Sequence, residues 1–428
     1  MLDIKFIREN KDLIKHAAKI KHVDFDVDKL LEVDEKRRAL QLSYDEKRSF
    51  QNKEGTRMTV PGLAEEEKLL ILKGLSIIKE EMKLIESDLK TVMLDWQKLM
   101  VSVPNIPDVS VPEGESDADN KEVKNWVPTP EKKFDFEPKD HIALMELHDM
   151  ADFEKGASVA GFRGYFLKND GARLEMALLQ FALDHFSGKG FIPMIVPSLV
   201  RRETLLGTGY LPQGEEDLYK TQDGEYLAGT GEVAGMSYFA DQVLEKKDLP
   251  KKILAFSPCF RREAGAHGKD VKGLYRVHEF LKLEQIVLCE ASHEESVKFH
   301  EEITANAENM LQKLGIPYHV VINCGGDLGL GQVKKYDIEC WRPSMKNYGE
   351  THSSSYFHDF QTRRLNIRYK DDSQNGESGL KFVHSLNNTA AAMPRLLIPL
   401  VENYQQADGS IVIPEILRPY MGGKEKIG

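Results

Sequence analysis

Three side chains able to hold a nucleotide alternate with two leucines in the run Phe280, Leu281, Lys282, Leu283, Glu284. Successive side chains of a strand point to opposite faces, so Phe280, Lys282 and Glu284 share one face and the leucines the other. Upstream, the limb CFRRE puts Arg261 and Glu263 on one face in the same way, and AGAHGKDVKGL between the limbs reads as a loop containing glycines and lysines. Two strands so joined would present a guanidinium, an aromatic ring, an ammonium and carboxylates to one surface. An arginine fork suits phosphate because it donates two hydrogen bonds in a plane. A ring suits a nucleobase because it stacks. The chemistry expected is binding of a polyanion or nucleotide. The competing reading is a solvated sheet face with ordinary cross-strand ion pairs.

Such a face needs a sheet to carry it. EYLAGTGEV, KKILAFSPCFRRE, YRVHEFLKLEQIVLCE, PYHVVINC, KKYDIECW, HSSSYFHDFQTRRLNIRY and KFVHSLNN pattern as strands, mostly alternating. GARLEMALLQFALDHFSGKG (171–190) patterns as an amphipathic helix ending at glycine, FIPMIVPSLV follows as an extended segment, and further helices are expected at 292–314 and 391–405. Few strands are spaced as βαβ units, so the fold class expected is α+β, with a mainly antiparallel sheet flanked by helices.

The N-terminal part has another rhythm. Ile71, Leu75, Ile78, Met82, Ile85, Leu89, Val92, Trp96, Leu99 and Val103 alternate spacings of four and three. That seam predicts a helix of about 50 Å with a left-handed supercoil. Its partner is expected over 27–53, where Leu30, Val33, Leu40 and Tyr44 keep the rhythm and Arg37, Lys47 and Gln51 interrupt it. GTRMTVPGL (55–63) is rich in turn formers, which predicts a long antiparallel helical hairpin rather than an intermolecular coiled coil. VPNIPDVSVPEGESDADN breaks the helix with prolines and acids. The domains expected are a helical arm over 1–104, a linker over 105–120 and a sheet domain over 121–428.

At 428 residues the chain exceeds one ordinary core, and 41% apolar residues suffice for large ones. No apolar run approaches the ~20 residues that span a bilayer. The N-terminus MLDIKFIRENKDLIKH is charged throughout, with no apolar core of a signal peptide. Cys259, Cys289, Cys324 and Cys340 lie far apart without a CxxC pair, so reduced thiols, a cytoplasmic location and no zinc site are expected. The net charge of −11 is the wrong sign for a nucleic-acid binder judged as a whole, but the first hundred residues hold about twenty basic and twenty acidic side chains. The deficit therefore lies in the remainder.

FRREAG…GKDVKGLYRVHEFLKLE resembles motif 2 of the class II aminoacyl-tRNA synthetases, in the form found in the seryl-tRNA synthetase family. GFIPMIVPSLV with Pro197 resembles motif 1, the dimer-interface element, and LNNTAAAMPRLLIPLVENYQ resembles motif 3. The resemblance extends over essentially the whole chain, with the hairpin as a tRNA-binding arm. It implies ATP-dependent activation of L-serine to seryl-adenylate, transfer of the seryl group to tRNA(Ser), a homodimer, and Mg²⁺ with the ATP. Little covalent chemistry then falls to the protein, so positioning and charge neutralisation supply most of the acceleration.

By the same resemblance, Arg261 holds the α-phosphate and helps bind serine, Arg276 grips the far phosphates, and Phe280 stacks on adenine. Arg395 lies on the ring's other face or near the γ-phosphate, Glu263 accepts from the adenine amino group, and Lys282 belongs to the ATP site. Glu284 matches the ligand of the substrate ammonium group, and Thr230 and Glu232 in GTGE match a segment lining the amino-acid pocket. Asn387 and Thr389 in LNNT match its hydroxyl-binding end. Glu350 and Ser353 match the Mg²⁺ ligands, oxygen donors that this ion accepts. Three residues apart, they share a strand face only if a bulge or turn lies between them. Thr230 and Thr389 could instead cap turns or helices.

His352 and Tyr356 stand where the family commonly has smaller or amide side chains, and Gly231 where Ala or Ser is usual; these departures could reshape the amino-acid pocket. Arg37, Arg38, Lys47, Arg48, Lys53 and Arg57 are candidates for tRNA phosphates, and the loop 264–274, with Lys269 and Lys272, for the acceptor end. Deleting 1–104 is expected to abolish tRNA binding and spare amino-acid activation. The alternatives are a synthetase-like paralogue with altered or lost activity and a non-enzymatic coiled-coil scaffold.

Overall fold

A computed structural model describes residues 1–130, 133–265, 272–371 and 379–428. The chain divides into two compact units, one of Leu2–Lys19 and Val23–Pro104, the other of Met1, Ile20–His22 and Asn105–Gly428. Among the described residues no helix is long and apolar enough to cross a membrane.

The first unit begins with two short helices not anticipated above, α1 (Ile4–Glu9) and α2 (Lys11–Ile20). The hairpin follows as α3 (Val27–Arg57) and α4 (Glu65–Val101). Asp26 caps α3 by accepting from Lys29 N at 3.0 Å, and three glutamates in the first turn of α4 complement its dipole. Every residue of the apolar seam on α4 is buried or half-buried. The polar interruptions on α3 are put to use across the seam. The Arg37 guanidinium lies 5.0 Å from the Trp96 ring centre and bonds Asp34, and Lys47 pairs with Glu81 at 2.5 Å. The turn is shorter than its composition implied, because α3 continues through Gly55 to Arg57 and only 58–64 connect the helices.

The second unit is built on an eight-stranded sheet of β1 (Lys121–Trp126), β2 (Ile192–Ile195), β3 (Lys251–Phe260), β4 (Glu279–Cys289), β5 (Tyr318–Ile322), β6 (Lys334–Arg342), β7 (Asn347–His358) and β8 (His384–Ala392). Its order is β1-β5-β6-β7-β8-β4-β3-β2, antiparallel except for the β2·β3 pair. Its helices include α5 (Asn169–Ser187), α6 (Glu232–Ser237), α7 (His293–Leu314), α8 (Phe360–Arg364) and α9 (Leu397–Tyr404). Leu283, Val287, Leu386 and Ala390 face a core shared with Leu178 of α5, Ile303 and Met310 of α7, and Leu400 of α9.

Several boundaries differ from expectation. The strand over CFRRE stops at Phe260 and the next begins at Glu279, so Arg261 and Arg276 lie on loop backbone. The long run from His352 breaks into the end of β7, helix α8 and a strand over Arg368–Asp371. EYLAGTGEV is a two-residue strand followed by the start of α6. The helix expected from 391 starts at Leu397, because β8 runs on to Ala392. The segment expected as a linker from 105 is bonded into the second unit, with Asn105 N donating to Leu330 O at 2.9 Å and Asp108 N to Val333 O at 2.8 Å.

His300 and His352 are buried on the helix side of the sheet. His300 Nε2 donates to Ser354 O at 3.0 Å, and His352 Nδ1 lies 2.8 Å from the Thr351 hydroxyl. Burial pushes both pKa values down from 6.5 to about 4. In the unfolded chain these rings take up protons near their ordinary value, whereas the folded protein keeps them neutral until about pH 4. Their contribution is therefore fully present above the unfolded pKa and shrinks as pH falls toward the folded one. By pH 5 the loss is about 2 kcal/mol for each ring. The urea midpoint should fall between pH 7.5 and pH 5, and the His352→Gln variant should show a shallower fall. Equal slopes for the variant and the unsubstituted chain would remove His352 from this account.

Candidate active site

One face of the sheet opens into a cavity of about 490 Å³. Its floor is the central strands. Phe280, Lys282 and Glu284 rise from β4, Glu350, Ser353 and Ser355 from β7, and Asn387 and Thr389 from β8. Alternation therefore does on β4 what the sequence implied, while Leu283 goes to the core behind.

Two bulges set which side chains meet. In the β6·β7 ladder Glu350 pairs with Glu339 and His352 with Ile338, leaving Thr351 as the extra residue. Glu350 and Ser353, three apart, are thereby both turned into the cavity. The Thr351 hydroxyl bonds Ile338 O at 3.2 Å and holds the bulge. In the β4·β8 ladder Leu283 pairs with Ala391 and Glu284 with Thr389, so Ala390 is extra and Glu284 lies directly opposite Thr389. Thr389 is a mid-strand residue, which removes the helix-cap reading.

Beyond Phe260 the backbone leaves the sheet but keeps Arg261 and Glu263 in the cavity wall. Arg261 N donates to His278 O at 3.0 Å, and its Nε donates to Gly229 O at 3.2 Å. The guanidinium carbon then stands 5.4 Å from the Phe280 ring centre. Glu263 has φ +54, a left-handed conformation costly for a glutamate, and its carboxylate accepts from Arg276 Nη1 at 3.0 Å. Arg276 is not part of the cavity wall in this state.

Arg395 precedes α9 and reaches the opposite wall. Its Nε donates to Tyr275 O at 3.2 Å, its Nη1 to Glu350 O at 3.3 Å, and its guanidinium carbon lies 4.7 Å from the Tyr275 ring centre. Arg342 covers that ring at the same distance of 4.7 Å, so Tyr275 orients Arg395 as part of a stack. Burial works against ionisation of Glu350, but Arg395, Lys335, Arg261 and Arg276 outweigh it and hold the carboxyl below its usual range. Its side chain is 41% exposed and lines the cavity together with Arg261, Lys335 and Arg395. An ionised carboxylate beside the Ser353 hydroxyl is a donor set that fits Mg²⁺.

At the other end Lys282 and Glu284, both buried, approach to 2.6 Å without the alignment of a hydrogen bond. The Lys282 ammonium is thus committed to the carboxylate that the resemblance assigned to the substrate ammonium. Burial pushes Glu232 up to about 7; its oxygens accept from Gln361 Nε2 at 2.6 Å and Tyr210 OH at 2.8 Å. Thr230 is buried away from the wall, and its hydroxyl accepts from Glu232 N at 3.3 Å, so it supports the start of α6.

The three departures from the family pattern stay out of the cavity. Ser353 and Ser355 take the cavity side of β7, and His352 and Tyr356 the other, where Tyr356 OH donates to Asp108 at 2.7 Å. Gly231 does not line the cavity either. Sequence reasoning missed Tyr210, Tyr275, Gln332 and Lys335. Lys335 could have been found, since KKYD places a lysine on a half-buried strand. Of the loop 264–274, residues 266–271, including Lys269, lie outside the described residues.

An antiparallel sheet with one arginine leaving a central hairpin and another entering the last helix, both aimed at one cavity, defines the catalytic domain of a class II aminoacyl-tRNA synthetase. The family description tRNA synthetase class II core domain (G, H, P, S and T) matches residues 219–404, and the seryl-tRNA synthetase N-terminal domain matches residues 1–107. The chain belongs to the seryl-tRNA synthetase family. It is 45% identical to the serine–tRNA ligase of Deinococcus radiodurans, over 100% of this chain and 99% of that protein. It is 43% identical to the serine–tRNA ligase of Treponema denticola, over 99% of each. Seryl-tRNA synthetase from Pyrococcus horikoshii, solved in complex with ATP, superposes with a TM-score of 0.90 at 36% identity, covering 100% of this chain and 99% of that one.

Proposed function

We propose that this chain activates L-serine with ATP to seryl-adenylate and passes the seryl group to the 3′-terminal adenosine of tRNA(Ser). The observation that carries the reading is the meeting of Glu284 and Thr389 on adjacent strands beside a guanidinium-lined cavity. Glu284 and Thr389, which this reading assigns to the serine ammonium and hydroxyl, are paired across the strands and line the same cavity as Arg261 and Arg395.

In the first step a serine carboxylate oxygen attacks the α-phosphorus and pyrophosphate leaves. In the second, a ribose hydroxyl of the tRNA attacks the acyl carbon and AMP leaves. Arg261 holds the serine carboxylate and the α-phosphate together and stabilises charge growing on the phosphoryl oxygens. Phe280 stacks on adenine, Glu263 accepts from its amino group, and Arg276 exchanges Glu263 for the far phosphates. Arg395, steadied by Tyr275, covers the opposite side of the nucleotide. Glu350 and Ser353 would hold Mg²⁺, which would supply charge neutralisation for the phosphates.

The serine ammonium competes with Lys282 for Glu284, and Asn387 and Thr389 meet the hydroxyl. A site built around that hydroxyl loses on the order of 1–3 kcal/mol with alanine, because its polar groups are left unpaired. A homodimer is favoured by the sheet's terminal strand β2, where Ile192 and Ile195 are 63% and 86% exposed, and by exposed Met176 on α5. The absence of paired cysteines among the described residues accords with a cytoplasmic location.

Pyrophosphate exchange with each standard amino acid tests the reading. Exchange should depend on serine, with alanine and threonine far weaker. Exchange with no amino acid would overturn the activity and leave the paralogue or scaffold.

A further inference from the structure

The loop Gly329–Gln332 walls the cavity, and all four of its carbonyls are bound by two residues. Lys21 Nζ donates to Gly329 O at 3.1 Å, Leu330 O at 2.9 Å and Gln332 O at 2.5 Å, using all three of its protons. Asn105 N donates to Leu330 O at 2.9 Å, and Asn105 Nδ2 to Gly331 O at 2.9 Å. Lys21 is 4% exposed, and no carboxylate among the described residues lies within ion-pair distance of it. A buried ammonium whose only partners are main-chain carbonyls is costly to keep, so its placement calls for a reason.

The loop's position supplies one. Gln332 Nε2 donates to Ser355 Oγ at 2.8 Å, and Ser355 pairs with Asn387 in the β7·β8 ladder. The clamped loop therefore abuts the end of the cavity assigned above to serine.

We infer that Lys21 is a positioning residue for the amino-acid pocket, its ammonium holding the backbone of the loop Gly329–Gln332 at the depth that admits serine. The inference rests on the seryl reading. A polar cradle that shifts by a fraction of an ångström loses much of its effect, whereas Arg261 and Arg395, assigned to the nucleotide, are anchored elsewhere, at Gly229 O, Tyr275 O and Glu350 O.

Serine-dependent pyrophosphate exchange is measured for the full chain, Lys21→Met and Lys21→Arg, with KM determined for serine and for ATP. Lys21→Met should raise the serine KM by ~10-fold or more and leave the ATP KM within about twofold, with Lys21→Arg intermediate. Should Lys21→Met fail to fold, Asn105→Leu, which removes the Nδ2 bond to Gly331 O and leaves the backbone bond to Leu330 O, must still raise the serine KM selectively. A folded variant whose serine KM is unmoved, or whose two KM values move together, overturns the clamp. Serine-independent behaviour of the unsubstituted chain overturns the seryl reading first, and the inference with it.

Discussion

Replacing Arg261 by alanine should lower serine-dependent pyrophosphate exchange by about 10³-fold, the scale of removing a preorganised donor from a water-poor site. The guanidinium lies over Phe280 in the cavity and makes one side-chain hydrogen bond to the scaffold, from Nε to Gly229 O at 3.2 Å. The backbone bond from Arg261 N to His278 O survives the substitution, so the fold should too. Unchanged circular dichroism and an unfolding midpoint close to that of the parent would show this. Arg261→Lys should restore little, because an ammonium cannot bridge carboxylate and phosphate as a planar fork does. Exchange within tenfold of the parent would remove Arg261 from the chemistry.

The second large effect concerns the helical hairpin. Deleting 1–104, the truncation that the sequence suggests, would also remove Lys21 and its bonds to the loop Gly329–Gln332. A cleaner experiment shortens the hairpin alone. Arg37 lies against Trp96, so α3 and α4 are side by side at that level, and 42–90 can be replaced by a short glycine-rich turn. This removes Lys47, Arg48, Lys53 and Arg57 and leaves the second unit whole. The KM for tRNA should rise on the order of 100-fold, and its salt dependence should flatten as phosphate contacts are lost. Pyrophosphate exchange without tRNA should stay within twofold. An unchanged tRNA KM would show that the hairpin is not the binding arm.

Local pattern carried much of the site. The alternation over Phe280–Glu284 placed three side chains on one face, and the structure keeps them there. The three-residue separation of Glu350 and Ser353 demanded a bulge, and Thr351 supplies it. The heptad seam on α4 came out buried or half-buried at every position. Loops were less legible. The strand limb before the loop ends earlier than its pattern implies, because CFRRE alternates as well as a strand does, yet pairing with β4 ends where Phe260 meets Glu279. The motif implies a pocket position for Thr230, while the structure turns its hydroxyl to Glu232 N.

What the sequence determined by itself was set by neighbours in the chain: which residues share a strand face, where a helical seam runs, and which motifs follow one another. The tertiary structure decided which distant segments meet. Glu284 faces Thr389 only through a register shift between strands about a hundred residues apart. Arg276 is held by Glu263 across a loop. Lys21 finds its partners some three hundred residues away, at backbone carbonyls. Every residue has a carbonyl, so no side-chain pattern marks those acceptors, and only folding selects them.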